Sequence, residues 1–331
     1  MSIIEFTLDK WRIGRRIKKS PSGFESGNAV CCIHRNQSLD KRGRGGMIVS
    51  GNTLSYSCFN CSYKCSYTIG RPLYPKFINL LRWMDVDEKI INQLKLEALR
   101  ESSQTTSFPT HSNQPKNIKA IELPKNCTIL EDDKTNQAHV DFLKTRGFTP
   151  EDFSFLVSSD LVYRSRIILP FIMHDTIIGY SARSIISSEK IRYIMKTTTN
   201  FIFGMEWVKP EHNIVFVMEG LFDAMSIGGL AVMHNEISDA QIEMLCDLQK
   251  KIIIVPDLDK TGLLPTKNGL IQIALDNGWG VSFPEWEKIK DVNDAYVKYG
   301  PLFTMKHLID MTTTDPLTIR LKQKLLLQRF K

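Results

Sequence analysis

The spacing of apolar residues changes period along the chain. Residues 71–98 read as helix: FINLLRWMDVDEKIINQLKLEALR places apolar residues three and four apart with no internal Gly or Pro. The next stretch, ESSQTTSFPTHSNQPKNI (101–118), is almost wholly polar, carries two prolines and has no period, which predicts a linker. From about residue 120, strand and helix patterns alternate. HVDFLKTRGF predicts a helix closed by Gly147, and RIILPFIM and TIIGYSA predict short strands. The clearest unit is IVFVM (214–218), then EGLFDAMSIGGL, then KIIIVPDLD (251–259). Two fully apolar runs around a helical stretch are expected of parallel strands joined by a crossover, and so of an α/β class. Earlier in the chain, GGMIVSGNTLSYSC reads as strand, Ser-Gly-Asn turn, strand. The final DPLTIRLKQKLLLQRFK reads as a short basic amphipathic helix.

Composition narrows the class. The 331 residues are 42% hydrophobic and 24% charged, with mean hydropathy −0.17, as in a globular protein rather than a disordered or fibrous one. No apolar run approaches the roughly 20 residues a membrane helix needs, so no membrane partner is expected. The opening MSIIEFTLDK has early acidic residues and no apolar core, so a secretory signal is not expected and a cytoplasmic location is. Charge is unevenly placed. Residues 1–70 hold eleven Lys/Arg against four Asp/Glu, a surplus equal to the +7 of the whole chain. A localised basic module points to a polyanion partner.

Five of the seven cysteines fall between Cys31 and Cys65. An odd total argues against a disulfide framework and for a metal site. Cys31-x-x-His34 followed by Cys58-x-x-Cys61 forms a Cys3His set with paired two-residue gaps, suited to one tetrahedral structural zinc. A hairpin between the pairs would give a zinc ribbon. Cys32 remains an alternative to Cys31, and Cys65 an alternative to Cys61. Tyr56, Phe59, Tyr63 and Tyr67 are interleaved with Arg42, Arg44 and Lys64, a mixture of ring faces and cations that suits single-stranded nucleic acid. Aromatics filling the small core of a ribbon is the competing reading for each of them.

Carboxylates mark a second site. Glu219 directly follows IVFVM, and Asp257 and Asp259 follow KIIIV. Ligands of an open parallel sheet collect outside the carboxyl ends of its strands, so these acids are expected in one crevice, where they suit Mg²⁺ or Mn²⁺. Asp223 lies one helical turn beyond Glu219, and KDVNDAY adds Asp291 and Asp294.

EGLFD (219–223), DLDKTG (257–262) and KDVND (290–294) resemble the three acidic motifs of the toprim fold, with Thr261 where that family usually carries Ala. Joined to an N-terminal Cys-rich ribbon, they resemble bacterial and phage DNA primases. FLKTRGFTPEDF (142–153) is similar to the helix before the primase core. SRIILPFIMHDTIIGYSAR (165–183) is similar to its Arg-rich strand pair, and IRYIMKTTTNFIFGM (191–205) to its Tyr-containing segment. The likeness spans about residues 25–300. It implies an α/β core with a toprim-type parallel sheet flanked by helices and a small N-terminal zinc-ribbon β domain. It also implies Glu219, Asp257 and Asp259 as catalytic acids, and Asp223, Asp291 and Asp294 as supporting metal ligands. Arg166, Arg183 and Lys196 are implied near template or nucleotide, and Cys31, His34, Cys58 and Cys61 as zinc ligands. The expected organisation is ribbon 1–70, helical segment 71–100, linker 101–119, basic part of the core 120–205, toprim part 206–300 and basic tail 301–331.

The function so implied is a primase that makes short RNA primers from ribonucleoside triphosphates on a single-stranded DNA template. About 30 residues follow the last acidic motif, which suits a compact phage enzyme; the implied further partner is a replicative helicase. No GxxxxGK[ST] occurs, so a fused ATP-driven helicase is not expected. The alternatives are a toprim nuclease or topoisomerase relative that cuts DNA, and a non-catalytic single-strand-binding replication factor.

Overall fold

The computed structural model describes residues 2–330 except 36, 105–119, 174–175, 198–199, 235, 267, 287–288 and 290. Most of the linker expected at 101–119 lies outside the described residues. The chain divides into two compact units, Met1–Thr110 with Leu275–Gly278, and His111–Ala274 with Trp279–Lys331.

In the first unit, α1 (Ile3–Arg12) starts from a capping box in which Ser2 and Glu5 bond each other's backbone N–H. Strands β1 (Lys18–Lys19), β2 (Glu25–Gly27), β3 (Gly45–Ser50), β4 (Thr53–Cys58) and β5 (Lys64–Thr68) form an antiparallel sheet in chain order. Ser50 pairs with Thr53, so the expected hairpin closes on a two-residue Gly51-Asn52 turn, with Gly51 at φ +56°. Alternation along β4 sends Leu54, Tyr56 and Cys58 into the core. The same core takes Trp11 from α1, and Phe77, Leu80, Leu81, Ile91 and Leu94 from two further helices.

Those helices correct the single helix expected over 71–98. They are α2 (Pro75–Trp83) and α3 (Glu88–Gln104). Asp85 takes a left-handed φ of +58° between them, and the Val86 N–H turns back to the Leu81 carbonyl at 3.2 Å, which ends α2. A periodicity count does not register one αL residue.

The second unit holds two sheets. The antiparallel one runs β10-β9-β8-β7-β6, from β6 (Cys127–Ile129), β7 (Leu156–Ser158), β8 (Arg166–Met173), β9 (Thr176–Ser184) and β10 (Tyr193–Thr197). Helix α4 (Gln137–Thr145) precedes β7 and ends at Gly147, φ +77°. The other sheet runs β12-β11-β13-β14-β15, from β11 (Ile214–Met218), β12 (Leu230–Ala231), β13 (Lys251–Val255), β14 (Gly280–Ser282) and β15 (Thr312–Thr313). Its first four members pair parallel, and β15 is antiparallel at the edge. Helix α5 (Leu221–Ile227), between β11 and β12, is buried throughout, its polar residues Asp223 and Ser226 included. Helices α6 (Asp239–Asp247), α7 (Leu270–Asn277), α8 (Val292–Tyr299), α9 (Pro301–Asp310) and α10 (Pro316–Gln328) complete the chain. Among the described residues, no helix is long and apolar enough to cross a membrane.

Candidate functional site

Cys31 and Cys32 follow β2. Cys58 ends β4, and Cys61 sits in the tight turn after it, where Ser62 adopts φ +59° and its N–H reaches the Cys58 carbonyl. The four sulfurs lie within 4.8 Å of one another and all four residues are buried. Cys31 and Cys61 are 3.3 Å apart, and Cys32 and Cys58 3.5 Å. The Asn60 backbone N–H and side-chain amide donate to Cys58 and Cys32, and the Tyr56 hydroxyl lies 3.3 Å from Cys31. Hydrogen bonds with Cys31 and Cys61 pull the Cys58 thiol down, whereas bonds with Cys58 and Cys61, together with burial, raise Cys31 well above the ordinary thiol range. Four crowded sulfurs surrounded by donors fit a soft tetrahedral cation, and the set suggests a closed, structural zinc site.

This geometry corrects one expected ligand. His34 is outside the group. It lies in a short 3-10 turn (Ile33–Arg35) that turns its ring onto Trp83, stacked at 5.0 Å and 5°. The adjacent Cys32 takes its place, and Cys65, on β5 opposite Tyr56 of β4, is not one of the four. Of the interleaved aromatics, Tyr56, Tyr63 and Tyr67 are core residues, while Phe59 is 75% exposed. Arg44 is a brace, with Nε on the Asp40 carboxylate at 3.0 Å and Nη1 on the Asn60 side-chain oxygen at 2.6 Å. Arg42 and Lys64 are exposed.

In the second unit, β11 and β13 are parallel neighbours with Met218 opposite Val255, so the chain leaves both strands at one edge. Glu219 and Asp257 therefore stand side by side, and the Asp257 N–H points to Glu219 Oε1 at 3.4 Å. Asp259 Oδ1 accepts from the N–H groups of Thr261 and Gly262, both at 2.8 Å, folding the loop back onto itself. A Cβ on Gly262 would meet the Asp257 carbonyl at 2.5 Å and Glu219 Oε1 at 2.9 Å, so this close approach requires glycine. Asp223, in the first turn of α5, accepts from the Asn293 N–H at 2.9 Å. Asp291 caps α8 through the Asp294 N–H.

Glu219, Asp223, Asp257, Asp259 and Asp291 line one cleft of about 1020 Å³, with Arg146, Arg183, Arg192 and Arg329 among its other walls. Burial, followed by the charges of Asp259 and Asp223, raises the Glu219 carboxyl to about 7 against a bond from the Asp257 N–H. Burial with Asp291 and Asp257 raises Asp223 to about 7, and burial with Glu219, Asp259 and Asp291 does the same to Asp257. Carboxylates this crowded resist ionising together without a counter-cation, and hard oxygen donors fit Mg²⁺ or Mn²⁺.

Not every expected residue belongs to the cleft. Asp294 does not line it; its carboxylate lies 3.9 Å from Arg146 instead. Arg183 lines it, with its guanidinium 4.5 Å from the Tyr193 ring. Lys196 does not: on β10, Tyr193 and Met195 face the cleft, and alternation sends Lys196 to the other side of the sheet. Arg166 is 2% exposed and serves as a brace, donating to the carbonyls of Val162 and Ile191 and to Glu189. Sequence reasoning missed Arg146, Arg192 and Arg329. Arg146 and Arg192 lay inside the quoted primase-like stretches as single cations that no spacing distinguished.

Asn293 is one of the side chains that tie the walls together. Asn293 Nδ2 donates to the Arg146 carbonyl and to Ser226 Oγ, both at 2.9 Å, and its Oδ1 accepts from the Arg146 guanidinium at 3.1 Å.

No protein-family model and no curated protein matches the chain. Among solved structures, it is similar to the DnaG catalytic core, at 14% identity and TM-score 0.44 over 54% of this chain and 74% of that one. It is also similar to the zinc-binding and RNA polymerase domains of Aquifex aeolicus primase (15%, 0.40, 95% and 86%) and to the primase fragment of the bacteriophage T7 primase-helicase (10%, 0.38, 83% and 96%).

Proposed function

We propose that the chain is a phage-type DNA primase, a nucleotidyltransferase that joins ribonucleotides on a single-stranded DNA template. The observation that carries this reading is the cleft, where five carboxylates at the carboxyl edge of a parallel sheet face arginines from the rest of the same unit. That division of charge suits a triphosphate held together with divalent cations. The order of a Cys-rich ribbon before toprim-like acidic motifs points the same way.

Within this reading, Glu219, Asp257 and Asp259 would hold Mg²⁺ or Mn²⁺, with Asp223 and Asp291 beside them. Such ions supply charge neutralisation and activation of a hydroxyl. Arg183 and Arg192 bind phosphate oxygens, for which a planar guanidinium offers paired donors. Arg183 is itself held in place by the Tyr193 ring. Gly262 keeps the Asp257–Asp259 loop pressed against Glu219, so the acids are positioned before substrate arrives. The reaction is in-line attack of a 3′-hydroxyl on the α-phosphorus, with pyrophosphate leaving. In the ribbon, Arg42, Lys64 and the exposed Phe59 offer cations and a ring face to an unpaired template.

The test is incubation with single-stranded DNA, labelled ribonucleoside triphosphates and Mg²⁺. New short RNA that Asp259→Ala abolishes supports the reading. Cut DNA without RNA would replace it with the nuclease reading, and template binding without either product with the non-catalytic one.

A further inference from the structure

Helix α10 has two unlike faces. One seats it on its own unit: Ile319 is fully buried, and the Gln323 amide donates to the Leu263 carbonyl at 2.9 Å. On the opposite face Leu317, Leu321 and Leu325 recur every four residues and are 79%, 57% and 52% exposed. At about 100° per residue they fall within roughly 80° of arc, a straight leucine stripe along more than two turns.

The borders of the stripe are cationic. The helical wheel puts Lys324 and Arg320 along one side and Lys322 along the other, and residues 316–331 contain no Asp or Glu. Among the described residues, none of these three cations is in an ion pair. A second copy of α10 laid on the stripe would set cation against cation. A lipid surface is less well matched, since a stripe of roughly 80° is narrower than the broad apolar face that beds into a surface and closer to a coiled-coil seam. Anchors at i, i+4 and i+8 between cationic borders are the complement of one particular shape, a helix with a leucine-type face bordered by carboxylates.

We propose that the exposed face of α10 docks an acidic amphipathic helix of a partner protein. The proposal is independent of the primase reading, because no stripe residue lines the acidic cleft.

The probe is a labelled helical peptide with leucines along one face and glutamates at its borders, titrated into the full-length protein by fluorescence anisotropy. Saturable binding is expected, weakened about tenfold or more by Leu321→Asp with Leu325→Asp. Charge reversal by Arg320→Glu, Lys322→Glu and Lys324→Glu is expected to transfer preference to a matching peptide with lysine borders. All five positions lie off the face that seats the helix, and an unchanged melting curve confirms the fold of each variant; Leu317→Asp replaces any variant that fails it. Absence of saturable binding, binding indifferent to the leucine substitutions, tighter capture by phosphatidylserine vesicles, or leucine-dependent self-association in sedimentation would each overturn the proposal.

Discussion

Glu219→Gln tests whether the acidic cleft stores electrostatic strain that a cation relieves. The substitution keeps the size of the side chain and the oxygen that accepts from the Asp257 N–H, and removes only the charge. Glu219 titrates near 7 in the folded protein against 4.5 ordinarily, because of burial and then the charges of Asp259 and Asp223. At about 1.4 kcal/mol per unit, that displacement amounts to roughly 3 kcal/mol. Its sign follows from linkage. The folded protein holds this proton more tightly than the unfolded chain, so the cost is absent below pH 4.5, grows as pH rises, and is complete above 7. In buffer free of Mg²⁺ but with zinc retained, the variant is expected to melt higher than the wild type at pH 8. For a unit of this size the difference is roughly 6–12 °C, and it is expected to fall towards zero near pH 5. Mg²⁺ should then raise the wild type more than the variant. Differential scanning calorimetry at the two pH values, with and without Mg²⁺, reads all of this. An equal shift at both pH values, or no Mg²⁺ response in the wild type, would refute the reasoning.

Three further outcomes are expected. Asp40 is almost wholly buried and accepts from the N–H groups of Ala29, Arg42 and Arg44 and from Arg44 Nε, so Asp40→Ala strands several donors and should cost roughly 3–5 kcal/mol in denaturant unfolding of the first unit. Burial opposes its charge, but those bonds outweigh burial and hold its carboxyl below the usual range; their contribution is therefore lost as pH falls through that lowered value, and acid titration of unfolding checks it. Elemental analysis should find about one zinc per chain in the wild type and in His34→Ala, and a loss in Cys32→Ser. Arg183→Ala should raise KM for nucleotide roughly tenfold in the primer assay, whereas Lys196→Ala, on the far face of its sheet, should leave it unchanged.

What could be read from the sequence depended on how far each feature is local. IVFVM and KIIIV announced parallel strands because a strand covered on both faces is apolar at every position, and the acids after them were placed by the strand ends alone. Tertiary context decided the rest. The two-residue gap pointed to Cys31 and His34, but the 3-10 turn at 33–35 carries His34 onto Trp83 and leaves two adjacent cysteines in the cluster. Arg166 and Lys196 looked alike as strand cations. One is enclosed by carbonyls and a carboxylate, the other faces away from the cleft, and only pairing with neighbouring strands separates them. Strands of two or three residues, such as β1, β12 and β15, were too short for any period to show.

The Asn293 carboxamide has a consequence for the width of the cleft. The acids hang from one sheet and most of the arginines from elements around another, so two frameworks set the span between anion and cation. The Asn293 amide is one of the ties between them, gripping Arg146 at both its carbonyl and its guanidinium while its backbone steadies Asp223. The cleft therefore works as a caliper with its jaws pinned, and a change at this pin would alter which ligand lengths fit without removing any group that touches them.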